Sequence, residues 1–384
     1  MRILLGADTF APDVNGAARF AERLATGLAG RGHEVHVAAP SPDGPSGTGT
    51  FGGATVHRVR SRRYPLHESF RVCLPWESGP QTAAVLDAVR PDVVHVQAHF
   101  SVGRGLAVAA SDRGTPLVAT NHFMPENLFA HARIPGSLRG AAARFAWRDA
   151  RKVFARANAL TAPTPRAVEL LTRATGLPAT AISCGIDAER YAGGTETEGT
   201  ILFVGRLDQE KRVDELIRAA ARLDRPYRLE IVGDGSERAA WEKLARDLGV
   251  PAVFHGFVSE EELIAAYRRC SVFCMPGVAE LQSLVTLEAM AAGKPVVAAD
   301  AMALPHLVRP GRNGWLFPPG DVAVLASVLG ALLQDPETRR RMGAASREIV
   351  AGHALDTTLD AFEELYTDVT ARTPGRVRVP ALAA

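Results

Sequence analysis

Short apolar runs and stretches of helical spacing alternate along almost the whole chain, and the alternation restarts once. Residues 2–5, 33–39, 56–59, 91–97, 116–120, 159–162 and 179–183 are rich in Val, Ile, Leu and Ala and have strand length. Between them, residues 16–30 put Phe20, Leu24 and Leu28 on one helical face, and residues 103–112 form a further helix. Residues 40–53 are dense in Gly, Pro and Ser, which predicts a mobile loop. Apolar strands alternating with helices predict an α/β fold, with a parallel doubly wound sheet and a ligand at the carboxyl ends of its strands.

Residues 191–199, YAGGTETEG, are polar and without periodicity, and mark a boundary. After it the pattern begins again. Strands are expected at 200–204, 228–232, 253–254, 272–275, 296–299 and 314–317. Helices are expected at 214–221, 236–248, 260–269, 322–333, 336–350 and 355 to about 370. The chain therefore divides into 1–190, 191–354, a last helix at 355–370, and a Pro- and Arg-containing tail at 371–384 that is expected to be disordered.

Length agrees with two cores, since 384 residues exceed one ordinary domain. A hydrophobic content of 47% supplies the material. The net charge of +2 is small, but its distribution is uneven: the first half is basic and the second acidic. That favours the first half for any anionic surface or acceptor. Cys73, Cys184, Cys270 and Cys274 lack the partners of a zinc site and read as buried thiols. The chain opens on a strand, and no apolar run approaches the roughly 20 residues of a membrane span. A cytoplasmic protein is expected, soluble or peripheral at the inner face of the membrane.

The chemistry concentrates in MPGVAELQSLVTLEAMAAGKPVVAAD, from Met275 to Asp300. Glu280 and Glu288 are eight residues apart. Inside one helix they would be separated by about 80° and on the order of 12 Å along the axis. With Glu280 in the preceding loop, it would bend over the helix start while Glu288 projects from the second turn. The first amides of the helix would then point at an anion between the two carboxylates. A ligand with hydroxyls at both ends and a diphosphate between fits that pattern, as a nucleotide-sugar does. Arg206 and Lys211 follow the strand ILFVG, where cations can hold a diphosphate. A dinucleotide dehydrogenase fits poorly: Gly6 to Gly16 is too wide a spacing, and Gly233-Asp234-Gly235 is only G-x-G. No Asp-x-Asp pair follows a strand in a loop to hold a divalent ion.

E-x7-E running into EAMAAGKPVV, VGRL at Val204–Leu207 with Lys211, and GRNG at 311–314 resemble the signature of retaining glycosyltransferases of family 4, GT-B fold. The resemblance covers the chain from Met1 to about Val369. It implies two Rossmann-like domains facing across a cleft, 1–190 for the acceptor and 191–354 for the donor, with the last helix crossing back to the first domain. It implies transfer of a hexose from a nucleotide-diphosphate sugar (GDP-mannose or UDP-glucose type) to a hydroxyl acceptor: a lipid, a sugar or a natural product. No metal or other cofactor and no nucleic acid is implied. By the same resemblance Glu280 contacts the donor sugar, Glu288 the ribose, and Arg206 and Lys211 the diphosphate. The amides of Leu284 and Val285 cap the phosphates, Gly16 approaches the diphosphate from the opposite side, and His122 lies near the transferred sugar. His99, Glu126 and Asn127 are candidates for the acceptor pocket. One departure stands out: where many relatives have Phe-Gly, this chain has Gln282-Ser283, so the glycine that permits close backbone approach is a serine. A sugar-nucleotide epimerase and a non-catalytic nucleotide-sugar-binding protein are the alternative readings.

Arg139, Arg144, Arg148, Arg151, Lys152 and Arg156 crowd one helix with Phe145, Trp147 and Phe154, and Arg58, Arg60, Arg62 and Arg63 cluster elsewhere. The helix either docks by its aromatics with a solvated basic face, or attaches to an anionic membrane and brings a lipid acceptor to the cleft.

Overall fold

The computed structural model describes residues 1–63, 71–125 and 134–372. The strands of the first half are β1 (Arg2–Gly6), β2 (Glu34–Pro40), β3 (Gly47–Phe51), β4 (Ala54–Val59), the short ribbon β5 (Arg62–Arg63) and β6 (Arg71–Val72), then β7 (Val93–Val96), β8 (Leu117–Thr120), β9 (Ala159–Ala162) and β10 (Thr180–Ala181). Eight of them form one sheet in the order β10-β9-β8-β7-β1-β2-β4-β3. The central strands RILLG, VVHV and LVAT are buried on both faces, which is why they read as unbroken apolar runs. Helices α1 (Gly16–Gly30), α2 (Pro75–Val89), α3 (Ser101–Asp112), α4 (Arg139–Phe154) and α5 (Pro165–Thr175) cover them. Ile3, Leu5, Val93 and Val118 face α1, whereas Leu4, Val94, Val96 and Leu117 face α2, α3, α4 and α5. That is the period-two alternation of a strand sandwiched between helices.

One expectation is corrected. Residues 40–53 are not simply a loop: Gly47–Phe51 pairs antiparallel with Ala54–Val59 at the sheet edge. Gly52 and Gly53 turn the hairpin with φ of +53° and +86°, which side chains rarely permit. Four of the five strand residues are exposed, so the strand carries no apolar signature.

The second sheet takes up the chain at β11 (Thr200–Val204) and continues with β12 (Arg228–Val232), β13 (Ala252–Gly256), β14 (Val272–Met275), β15 (Val296–Ala299) and β16 (Gly314–Phe317). Its order is β13-β12-β11-β14-β15-β16, parallel throughout. The connecting helices are α6 (Val213–Ala220), α7 (Arg238–Asp247), α8 (Glu260–Arg269), α9 (Leu284–Ala291), α10 (Leu304–Leu307), α11 (Val322–Gln334) and α12 (Pro336–Ala351). In each sheet the strand order reverses beside the first strand, between β1 and β7 and between β11 and β14. Such reversals open a crevice at the carboxyl ends of the strands.

The last helix, α13 (Leu355–Arg372), returns to the first sheet. The crossing is pinned where Ile186 donates to the His353 carbonyl (2.9 Å) and accepts from the Leu355 amide (3.0 Å). Leu359, Phe362, Tyr366 and Val369 then complete the core over α1. Tyr366 Oη lies 2.7 Å from His95 Nδ1, whose Nε2 lies 2.7 Å from Thr120 Oγ1, and Thr120 meets Thr161 at 2.6 Å. Outside, Arg31 of α1 pairs with Asp356, Asp360 and Glu363. All four cysteines are buried and free. No described helix is long and apolar enough to cross a membrane. The expected tail, from residue 373 onward, lies outside the described residues.

Candidate active site at the facing strand ends

Glu280 is in the loop between β14 and α9, not in the helix, so the second of the two arrangements holds. It is 8% exposed, its carboxylate paired with the Lys211 ammonium. The backbone fixes both: Val278 donates to the Glu210 carbonyl (3.0 Å) and Ala303 to the Glu280 carbonyl (3.1 Å). Arg206 leaves the end of β11 and pairs with Asp208 and Glu210, at 2.8 Å each. Arg206, Lys211 and Glu280 thus converge at the carboxyl ends of β11 and β14. Gly233 lets the β12 loop close on this point, since a Cβ there would stand 1.9 Å from the Gly205 carbonyl oxygen.

Helix α9 begins directly after Ser283, which has φ +71° and ψ +81° and accepts no capping bond in its side chain. Its hydroxyl meets Thr286 Oγ1 at 2.8 Å instead. The amides of Leu284 and Val285 are first-turn donors without an intrahelical acceptor, at the positive end of the helix. Glu288, one turn further, is 6% exposed. Tyr267 Oη donates to its Oε2 (2.9 Å), and Arg23 Nη2 of α1 to its Oε1 (2.7 Å). Arg23 was not among the residues expected at the site. Further ties bind the loop to the first half. The Thr164 hydroxyl donates to the Leu281 carbonyl (2.8 Å), and Gln282 receives the Cys184 amide (2.8 Å) and donates to Ser183 Oγ (2.6 Å). The Gln282 that departs from the usual pattern is therefore an anchor between the halves.

On the first half, Gly16 starts α1 behind the Asn15 cap, whose Oδ1 accepts from the Ala18 amide at 2.9 Å. A Cβ on Gly16 would meet nothing within 4 Å, so the space before it is open. His122 follows β8 and packs on Phe20 of α1 with ring centroids 4.8 Å apart. Asn121 holds it there by bonding both the amide and the carbonyl of Phe123. Burial pushes the His122 imidazole down to about 4, and its Nε2 has no partner. His99 sits on the other face of the sheet, ringed by Phe100, Phe123 and Phe154 at 4.4, 4.7 and 5.7 Å. It is not brought together with His122. Glu126 and Asn127 lie outside the described residues. Asp8, at the end of β1, caps α3 through the amides of Val102 (2.8 Å) and Gly103 (3.3 Å), and burial raises it to about 6.

Two facing strand-end crevices, with a carboxylate-flanked helix start on one side, define a GT-B transferase site. The family comparisons agree. Residues 14–190 match the model described as Glycosyltransferase Family 4, and residues 187–349 the one described as Glycosyl transferases group 1. The chain belongs to the family 4 glycosyltransferases and is a transferase that uses nucleotide sugars. It is 34% identical to the GDP-mannose-dependent alpha-mannosyltransferase of Mycolicibacterium smegmatis, over 97% of this chain and 98% of that one. Among solved structures it is similar to sucrose-phosphate synthase from Thermosynechococcus elongatus (TM-score 0.81, 20% identity, 97% and 100% of the two chains). It is also similar to Anabaena HepE in complex with UDP-glucose (TM-score 0.76, 20% identity, 96% and 100%).

Proposed function

We propose that the protein moves a hexose from GDP-mannose, or a donor of that type, to a hydroxyl acceptor, with retention at the anomeric carbon and without a metal. The observation that carries this reading is the α9 start, where free amides lie between Glu280, paired with Lys211, and Glu288. The relative from Mycolicibacterium smegmatis supports the choice of donor base. Residues 191–354 hold the donor and residues 1–190 the acceptor. Lys211 and Arg206 take the diphosphate as it gains charge on leaving, together with the Leu284 and Val285 amides. Glu288 grips the ribose and Glu280 the hexose. His122, neutral through burial, offers a hydrogen bond rather than a charge. Gly16 leaves room for the diphosphate opposite α9. As the resemblance to the family implies, the acceptor attacks on the face that the phosphate leaves, and the departing phosphate takes its proton.

The acceptor we favour is a lipid. On α4, Arg144, Arg148 and Arg151 are exposed and Phe145 is 70% exposed, whereas Trp147 and Phe154 turn inward. This is the pattern of a helix laid on an anionic membrane. The test supplies GDP-mannose, UDP-glucose and ADP-glucose with lipid and soluble acceptors, and reads the anomeric configuration by NMR. Inverted product overturns the mechanism. Equal sedimentation with anionic and neutral vesicles at low salt returns the acceptor to the soluble class.

A further inference from the structure

The first sheet carries a row of buried polar side chains on the face covered by α1 and α13. Thr161, Thr120, His95 and Tyr366 form a continuous chain of hydrogen bonds. Directly beyond it the bonding stops. Gln97 is 2% exposed, yet neither Oε1 nor Nε2 of its amide has a partner. His122 Nε2 is likewise buried and unpartnered. An amide can donate twice and accept twice, so leaving it unmatched in the interior is costly.

The position of Gln97 is set by the sheet. Its amide still donates to the Gly6 carbonyl at 2.9 Å, so the ladder with β1 runs on through it. Strand alternation then places it on the face of Val93 and His95, toward α1. Val96 stands opposite Ala119, so Gln97 comes level with Thr120, two residues before His122 on the adjacent strand. β1 and β7 are also the two strands between which the order of this sheet reverses. Gln97 therefore lies at the floor of the crevice, where a ligand of the first half belongs.

We infer that the Gln97 amide, beside His122, reads hydroxyl groups of a sugar or polyol ring held in the cleft. One N–H and one carbonyl oxygen, side by side, match a vicinal diol, which offers an acceptor and a donor at the same spacing. The ring is either the hexose being transferred or the hydroxyl-bearing part of the acceptor. This inference rests on the transferase reading above.

Gln97→Leu keeps the bulk of the side chain and removes both polar atoms. The expected result is an unchanged or higher Tm, because an unsatisfied amide is gone, with kcat/KM for transfer at least tenfold lower. Donor hydrolysis without acceptor separates the sources. If it falls in parallel, the amide reads the transferred hexose; if it is unchanged while acceptor KM rises, the amide reads the acceptor. Wild-type transfer kinetics in Gln97→Leu overturn the inference alone. A lower Tm with unchanged kinetics also overturns it, and assigns the amide to a structural water. Wild-type protein that transfers from no nucleotide sugar overturns the underlying reading together with this one.

Discussion

Arg23 and Glu288 stand on different halves of the molecule, 265 residues apart in sequence, and their charged groups meet at 2.7 Å. The pair sits at the carboxylate assigned to the ribose, so that carboxylate also reports where the first half is. In a double-mutant cycle of Arg23→Ala and Glu288→Ala, urea unfolding should give a coupling of roughly 0.5–3 kcal/mol. Strict additivity would show that the contact carries no energy.

The placement of ribose, diphosphate and sugar separates binding from turnover. Glu288→Ala and Lys211→Ala should each weaken nucleotide-sugar binding by roughly 1.5–3 kcal/mol, the worth of a charged hydrogen-bond partner. Glu280→Ala should chiefly lower kcat. Calorimetry that finds wild-type nucleotide affinity in both of the first two variants would sink this assignment.

Cations and a helix start take the place of a metal in the proposed chemistry. Transfer should therefore persist in excess EDTA. A complete loss that magnesium restores would count decisively against it.

Acid should weaken the fold through buried histidines. Burial holds His95 down to about 3 and His99, His122 and His353 to about 4, against an ordinary 6.5. Below pH 6.5 the unfolded chain takes up protons that the folded chain refuses. Their stability is thus complete above pH 6.5 and is lost as pH falls toward 4. Asp8 acts in the opposite sense, since burial raises it to about 6, so protonation between pH 6 and 3.8 favours the folded state. Burial also lowers His57 and His306 and raises Asp13 and Glu22. Among the described residues the lowered histidines thus outnumber the raised carboxylates six to three, and the urea midpoint should drop between pH 7 and pH 5. A midpoint that rises would refute the assignment of these histidines as neutral and buried.

Tyr366→Phe should leave His95 Nδ1 without its partner in the core. The cost is about 1–3 kcal/mol in equilibrium unfolding, with kcat nearly unchanged because neither His95 nor Tyr366 is assigned a contact with donor or acceptor. Loss of activity at unchanged stability would contradict a purely structural role.

The βα alternation was legible because central parallel strands are apolar throughout, and each helix has only one side to bury. The β3 edge was not, since an exposed strand needs no apolar residue and its Gly-Gly turn resembles a loop. α2 was obscured by Pro80 within it. At the site, His99 lies three residues beyond the end of β7 at Val96, where the period of two no longer fixes which face a side chain takes. Gln97 did carry a signal, a polar residue closing the apolar run VVHV at the switch of strand order. Arg23 carried none: it lies on an amphipathic helix like any other arginine, and its partner comes from the other half.

The returning helix has a consequence for how the protein is made. His95 and Tyr366 are 271 residues apart, and the first core is incomplete until Leu359, Phe362 and Tyr366 reach it. Contacts of such separation form late, after the loop between them has been closed at an entropic cost. On the ribosome, the part of the first core that α13 covers must therefore wait until residues 355–372 have emerged. The half that is synthesised first is the half that finishes last.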